Sequence, residues 1–271
     1  MWGVTFSMID TVIQKSLEAA TEKSGDYYES GLLFCGVCHT AKQARISIPG
    51  GEEVAKKTFN PRLGIEGGLS VLGTSGIVVP MSEKALIASI RLEMEMKRKN
   101  GAKYLLLTPG NYGADFVKEN TKLDVESSMK CSNYVGETLD MAVELGFLGV
   151  LFVAHIGKFV KVSGGIMNTH SRHSDARAEL MCAHALRSGA DLETAKAILE
   201  TITTEEAMEI IRMHGLQDAV MEQMAEKVHQ YMQHRVEGAI QTEAILFSNR
   251  FGYLGETKGA EKLAEKFKYD L

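Results

Sequence analysis

The chain has 271 residues, of which 45% are hydrophobic and 24% are charged, values typical of a globular protein with one large or two medium domains. Its formal net charge of −5 argues against a general nucleic-acid binder, which normally carries a basic face. No stretch approaches the ~20 apolar residues that span a bilayer, and the first residues lack the pattern of a signal peptide. We therefore expect a cytoplasmic protein that binds neither nucleic acid nor membrane, with its four cysteines reduced.

Residues 1–66 predict a partial N-terminal α+β domain. Apolar residues recur at helical spacing from Ser7 to Ser24, and the segment from Gln43 to Pro49 alternates like a strand. The segment from Thr58 to Gly68, which contains Asn60-Pro61-Arg62, is typical of a linker that crosses between domains, so we place a domain boundary between residues 66 and 67.

Residues 67–271 predict an α/β ligand-binding domain in which strands alternate with helices. The predicted strands are 69–72, 103–108, 127–132, 149–154 and 239–248. The predicted helices are 82–99, one that ends near 120, 135–145, 174–187, 191–199, 204–214, 217–236 and 259–268. This alternation implies a mostly parallel sheet with helices on both faces. Such sheets bind ligands at the carboxyl ends of their strands, so the polar residues there are the candidates for a site.

Two glycine-rich turns follow predicted strands. Gly73-Thr74-Ser75-Gly76 offers two hydroxyl groups, and Thr108 to Gly113 (Thr-Pro-Gly-Asn-Tyr-Gly) opens a helix whose amino end favours negative charge. Glycines let backbone N–H groups approach a ligand, although both segments also fit tight turns without a ligand. We predict that these turns and the end of the next strand bind a cofactor through Thr74, Ser75, Thr108, Gly110, Asn111, Gly113 and Asn133.

The apolar run from Val150 to Ala154 stops abruptly at His155-Ile156-Gly157-Lys158, and a loop is expected to follow. An imidazole at a strand end titrates near neutrality and can act as a general base or a hydrogen-bond donor, or it can simply satisfy a backbone carbonyl. We predict His155 as the catalytic residue, and Lys158 as a positive charge for a carboxylate.

A second polar group follows the glycine pair at 164–165, and we expect it to bind substrate. Its predicted binding residues are Asn168, His170, Arg172 and Arg177. His170 and His173 lie three residues apart, but no third ligand stands at a suitable spacing, so we predict no metal site.

The cysteines leave further alternatives open. Cys131 could be a nucleophile, although a buried structural thiol is favoured. Cys35-Gly36-Val37-Cys38-His39 matches the haem-attachment pattern, but a match of five residues arises easily by chance. A redox or haem protein built on this segment is a minor alternative.

Six segments, taken together and in order, resemble one known family. The chain is similar to the cobalt-precorrin-5B C1-methyltransferases, the CbiD proteins of anaerobic cobalamin biosynthesis, from about Ile46 to its end. The segments that carry the resemblance are Asn60 to Ile65, Gly67 to Gly76, Thr108 to Gly113, Cys131 to Asn133, His155 to Lys158 and Gly164 to Arg172. Their common order makes the resemblance specific in a way that no single segment is.

The resemblance implies S-adenosylmethionine as methyl donor and a cobalt-bound corrinoid as small-molecule acceptor, methylated at ring carbon C1 to give cobalt-precorrin-6A. A corrinoid carries many carboxylates, which a basic rim of Lys158, Lys161, Arg172 and Arg177 would suit. Because methyl transfer from a sulfonium is an in-line displacement, the protein mainly has to position the two partners. We expect Gly110 and Gly113 to approach the donor, and His155 to orient or deprotonate the acceptor.

The chain departs from the family pattern at its start. Family members begin with an N-terminal segment, rich in Thr and Gly and with an acidic motif, that we do not find here. An alternative function is therefore a non-catalytic protein that binds a corrinoid or a nucleotide. The sequence leaves assembly into a homo-oligomer open.

Overall fold

A computed structural model describes residues 33–34, 46–47, 51–56, 83–121, 123–124 and 127–267. The chain divides into two units, residues 1–86 and 87–271. In the first unit, Leu33–Phe34 (β1) pairs antiparallel with Ile46–Ser47 (β2), and Gly51–Ala55 forms a short helix, α1. The predicted helix over 7–24, the predicted strand over 69–72 and the predicted boundary at 66/67 lie outside the described residues.

The second unit alternates strands with helices, and the α/β prediction is confirmed. Its strands are β3 (Tyr104–Thr108), β4 (Met129–Lys130), β5 (Gly149–His155), β6 (Gln241–Ser248) and β7 (Gly252–Glu256). Helix α2 (Glu83–Lys99) leads into this unit. The helices that follow are α3 (Asn111–Asn120), α4 (Val135–Glu144), α5 (Ile156–Val162), α6 (Arg177–Arg187), α7 (Leu192–Leu199), α8 (Thr204–Met213), α9 (Gln217–Arg235) and α10 (Ala260–Lys266).

Within the described residues, five strands form one sheet in the order β4-β3-β5-β6-β7. The first four are parallel, and β7 pairs antiparallel with β6. The sheet is therefore mostly parallel, as predicted, whereas the antiparallel strand β7 was not predicted. Strand β5 lies at the centre, and its residues from Gly149 to Ala154 are all buried, which explains its almost continuous apolar sequence.

Helices cover both faces of this sheet. Leu106, Leu151 and Val153 point to one face, where they form a core cluster with residues of α3 and α10. Phe152 points to the other face, and its ring centroid lies 5.2 Å from that of Phe159 in α5. Helices α4 and α9 lie on the same side as α5, because α9 contacts both of the others. Alternation along each strand thus supplies two apolar faces, and each is covered by helices.

Helix α5 corrects the prediction of a loop after β5. The helix starts directly after the strand, with His155 at its N-cap. Gly157 and the alternating Val160-Lys161-Val162 argue against a helix in the sequence, because glycine has low helix propensity and alternation is typical of strands. Burial of apolar residues such as Ile156 and Phe159 stabilises the helix instead, so tertiary packing overrides the local preference.

The strand order reverses between β3 and β5. From β3 the chain crosses to β4 on one side, and then returns to β5 on the other side of β3. The connections that leave β3 and β5 therefore diverge toward opposite faces of the sheet. A divergence of this kind opens a crevice at the carboxyl ends of the two strands, where open α/β sheets bind their ligands.

Candidate ligand-binding site

Lys158, in the first turn of α5, connects the loops that follow three neighbouring strands. Its ammonium group donates hydrogen bonds to the carbonyl oxygen of Pro109, after β3 (2.6 Å), and of Ser132, after β4 (3.3 Å). A Cβ placed on Gly110 would lie 3.7 Å from Nζ of Lys158. The Pro109-Gly110 turn, the Ser132-Asn133 turn and the start of α5 therefore meet at one rim, at the reversal of strand order.

A polar cleft of about 340 Å³ borders this rim. Four of its lining residues belong to the predicted site: Asn133, Lys158, His170 and Arg177. The other lining residues are Gly157, Lys161, Thr169 and Ser171. The cleft therefore lies between α5 and the loop that joins α5 to α6, and it brings together residues that are up to 44 positions apart in the sequence, from Asn133 to Arg177.

The loop between α5 and α6 is held against the start of α4. The N–H group of Thr169 donates to the carbonyl oxygen of Asn133 (2.9 Å), and its hydroxyl donates to Oδ1 of the same residue (3.2 Å). The N–H group of Gly136 donates to the carbonyl of Met167 (3.2 Å), and a Cβ on Gly136 would lie 2.8 Å from Cβ of Met167. Glycine at 136 thus permits the close approach, and Asn133 fixes the position of the cleft wall.

Lys161 lies one turn after Lys158 and is 2% exposed. Its ammonium group donates to the carbonyl oxygens of Thr169 (3.1 Å) and Ser174 (2.7 Å). Burial lowers the pKa of Lys161, an effect that the Asp175 carboxylate opposes. Burial also lowers the pKa of Lys158. Both amino groups are thus withdrawn from water and anchored by backbone carbonyls.

The predicted substrate residues of the α5–α6 loop differ in their contacts. Arg177 pairs with Asp175 through two hydrogen bonds, Nε to Oδ1 (2.7 Å) and Nη2 to Oδ2 (2.9 Å). Oδ1 of Asn168 accepts from the N–H group of His170 (3.1 Å), and Nδ1 of His170 accepts from that of Arg172 (3.0 Å). Asn168 and His170 therefore shape the loop, while the side chain of Arg172 is exposed.

His155 is engaged through both ring nitrogens. Nδ1 accepts a hydrogen bond from the N–H group of Gly157 (3.1 Å). Nε2 lies 3.1 Å from Oε1 of Glu205 and 3.4 Å from the backbone nitrogen of Asn249. Burial lowers the pKa of His155, and the Glu205 carboxylate opposes this effect. The ring is thus held at the N-cap of α5. The predicted catalytic role stays a prediction, and general base action requires Nδ1 to release Gly157.

The predicted cofactor residues after β3 have unequal surroundings. Gly110 is the N-cap of α3 and provides no side-chain cap, so the first N–H groups of the helix keep their capacity for a ligand. The hydroxyl of Thr108 is buried and has no hydrogen-bond partner among the described residues. Gly113, in contrast, is packed tightly, because an added Cβ would lie 2.8 Å from Cβ of Thr108. Thr74, Ser75 and the side chain of Asn111 lie outside the described residues.

The thiol of Cys131 is fully buried, and burial raises its pKa to about 12. This environment suits a structural thiol and not a nucleophile. In the described ranges, no group of three or more His, Cys, Asp and Glu side chains is placed to hold a metal ion. None of the helices in those ranges has the length and apolar character needed to cross a membrane.

Sequence reasoning missed Glu205 as the partner of His155, and Thr169 and Ser171 as lining residues of the cleft. Glu205 lies in a capping box at the start of α8, where Thr203 and Glu206 exchange hydrogen bonds, and this motif could have located the helix start. Its contact with His155, 50 residues earlier, depends on the packing of α8 against α5 and has no local signal.

Two protein-family models match the chain. The model of CbiD matches residues 8–80, and the model of the CbiD C-terminal domain matches residues 168–258. Together they match more than half of the 271 residues. The second match includes the α5–α6 loop from Asn168 onward, and so it includes part of the cleft.

Curated proteins named cobalt-precorrin-5B C(1)-methyltransferase are similar to the chain. The protein of Ruminiclostridium cellulolyticum is 48% identical over 204 residues, which are 75% of this chain and 53% of the relative. The protein of Alkaliphilus metalliredigens is 43% identical over 223 residues, 82% of this chain and 59% of the relative. The protein of Clostridioides difficile is 39% identical over 248 residues, 90% of this chain and 59% of the relative. The chain thus spans a little over half the length of these relatives. No solved structure matches it.

Proposed function

The chain belongs to the CbiD family, and on this premise we propose that it methylates cobalt-precorrin-5B at C1, with S-adenosylmethionine as the methyl donor. The products are cobalt-precorrin-6A and S-adenosylhomocysteine, and on the composition of the chain we place the reaction in the cytoplasm. The observation that carries the proposal is the convergence of the loops after β3, β4 and β5 around Lys158, beside a cleft lined by basic side chains.

The cleft suits the acceptor. A corrinoid presents several carboxylates, and the lining contains Lys158, Lys161 and Arg177. An Arg guanidinium matches a carboxylate with two parallel hydrogen bonds, which is how Arg177 already binds Asp175. Arg172 lies exposed on the same loop and adds a fourth positive charge. The acceptor brings its own cobalt, so the protein needs no metal ion of its own.

The amino end of α3 suits the donor. S-adenosylmethionine, when bound, supplies an electrophilic methyl group on a sulfonium. Gly110 leaves space for close backbone approach, and the unpartnered hydroxyl of Thr108 offers a hydrogen bond at the end of β3. The helix amino end favours the carboxylate of the amino-acid part of the donor. Gly110 and the cleft are adjacent, because Lys158 contacts both.

The main contribution of the protein to catalysis is to position the donor and the acceptor. A displacement in line requires donor and acceptor to be held in fixed relation, and holding them so accounts for much of the rate enhancement. Lys158 holds the Pro109-Gly110 turn, where we place the donor, against α5, which borders the cleft for the acceptor. It does so through its hydrogen bond to the carbonyl oxygen of Pro109. His155 does not itself line the cleft, but it fixes the start of α5 through Gly157, which does.

A single-turnover assay tests the proposal. Purified protein is mixed with cobalt-precorrin-5B and S-adenosylmethionine that carries an isotopically labelled methyl group, and the corrinoid is analysed by mass spectrometry. Transfer of one labelled methyl to the ring, absent when the donor is omitted, supports the proposal. Corrinoid binding without transfer supports the alternative of a non-catalytic binding protein. Failure to bind either compound overturns both.

A further inference from the structure

Helix α5 presents two lysines to the cleft, one turn apart. Among the described residues, no carboxylate is hydrogen-bonded to either ammonium group. In the described part of the chain, Lys158 donates to the carbonyls of Pro109 and Ser132, and Lys161 donates to those of Thr169 and Ser174. Backbone carbonyls orient an ammonium group and partly replace its hydration, but they carry no net charge.

Asp175, the acidic side chain that acts on Lys161, is already paired with Arg177. The carboxylate of Asp175 acts on Lys161 through space, but both of its oxygens accept hydrogen bonds from Arg177. The cleft therefore combines three basic side chains, Lys158, Lys161 and Arg177, with this one carboxylate. Burying an ammonium group is costly unless an opposite charge accompanies it, and Lys161 is 2% exposed.

We infer that Lys158 and Lys161 form a binding site for a carboxylate group of a ligand in the cleft. Residues three apart on a helix are neighbours on its surface, so one carboxylate can accept from both ammonium groups. Each ammonium has three N–H donors and uses two of them on the carbonyls described above, which leaves one donor for the ligand. The carbonyl contacts hold each ammonium in place before the ligand arrives.

If the proposed function is correct, two compounds can supply this carboxylate. One source is an acidic side chain of the corrinoid acceptor, and the other is the amino-acid part of the methyl donor. Lys161 contacts the α5–α6 loop, on the side where we place the acceptor. Lys158 lies next to Gly110, where we place the donor. The geometry thus allows either source, and the experiment separates them.

The test compares the Lys161→Met variant with the wild type, because methionine keeps the apolar stem and removes the charge. Lys196→Met, on the exposed surface of α7, is the matched control. Three probes are titrated by calorimetry: cobyrinic acid, S-adenosylhomocysteine and citrate. Loss of one charge-assisted hydrogen bond is expected to weaken the probe that uses the site by roughly 10- to 100-fold, while the control binds like the wild type.

The pattern of losses identifies the source. If Lys161→Met weakens the binding of cobyrinic acid alone, the site belongs to the acceptor. In that case the methyl ester of cobyrinic acid should bind equally weakly to wild type and variant. Weakened binding of S-adenosylhomocysteine alone assigns it to the donor. Citrate tests the site without either compound. If the wild type binds citrate more tightly than Lys161→Met does, but binds neither of the other probes, this inference stands and the proposed function is refuted.

Equal affinity of wild type and Lys161→Met for every probe overturns the inference, as does a wild type that binds none of the three. Circular dichroism first establishes that the variant is folded, since Lys161 also anchors the loop through Thr169 and Ser174. If it is not, Lys158→Met decides in the same titrations, because Lys158 is only half-buried and belongs to the same site.

Discussion

Replacement of Gly113 by alanine separates helix packing from ligand contact at the amino end of α3. An added Cβ would lie 2.8 Å from Cβ of Thr108 and 2.8 Å from the carbonyl oxygen of Val153. Both atoms belong to, or are attached directly to, the backbone of β3 and β5, so neither can rotate away. We therefore expect α3 to move off the sheet in this variant, with loss of stability.

The expected loss of stability in Gly113→Ala is the net result of two opposing effects. Overpacking of a tight interface costs about 1–3 kcal/mol, and two rigid contacts place this site at the upper end. The higher helix propensity of alanine offsets about 1 kcal/mol of that cost. The net loss in the free energy of unfolding is about 2 kcal/mol, and the melting temperature should fall by roughly 4–8 °C for a unit of this size.

Thermal unfolding followed by circular dichroism at 222 nm measures the effect, with Gly110→Ala as the matched control. A Cβ on Gly110 would lie 3.7 Å from Nζ of Lys158, an ordinary contact, and its φ of −161° is extended backbone that any residue adopts. The control should lose no more than about 1 kcal/mol, through the poorer N-cap. A Gly113→Ala protein that melts at or above the wild-type temperature would refute the packing argument.

Three further predictions concern buried polar groups. His155→Ala should lose about 1 kcal/mol of stability, because the side chain that caps α5 is missing. His155→Asn keeps a capping side chain and should lose less, so equal melting temperatures of these two variants would contradict the capping role. Burial lowers the pKa of His184 to about 4, so the unfolded chain takes up its proton first as the pH falls. The contribution of neutral His184 to the free energy of unfolding should therefore be fully present above pH ~6.5, and it should decline by up to about 3 kcal/mol toward pH 4. Denaturant titrations should show a flatter pH profile for His184→Gln than for the wild type; equal profiles would contradict this role of His184. Because burial raises the pKa of Cys131 to about 12, iodoacetamide at pH 8 should leave it unlabelled in the folded protein and label it in denaturant, as read by peptide mass spectrometry; rapid labelling of the folded form would argue for a reactive thiol.

Most elements of the second unit could be predicted from the sequence, because their signals are local. The apolar run from Gly149 identified β5, and helical periodicity located α9 to within one residue of its observed end, Gln217–Arg235. Turns and caps work over the same short range, as at α7, where Asp191 accepts from the N–H group of Thr194 (2.7 Å). The failures were α5 and β7, whose short segments are stabilised by neighbours and not by their own pattern.

The assembly of the candidate site could not be predicted in the same way, because it depends on contacts between distant segments. The sequence pointed to Lys158 and Asn133 because polar residues follow strands there, but it could not show that Lys158 bonds to Pro109, 49 positions earlier. It suggested Gly113 for ligand approach, whereas the packing of α3 on β3 and β5 explains that glycine without a ligand. Periodicity and capping depend on residues a few positions apart, while contacts between loops depend on the order in which the strands pair. That order places β3 between β4 and β5, and the cleft follows from it.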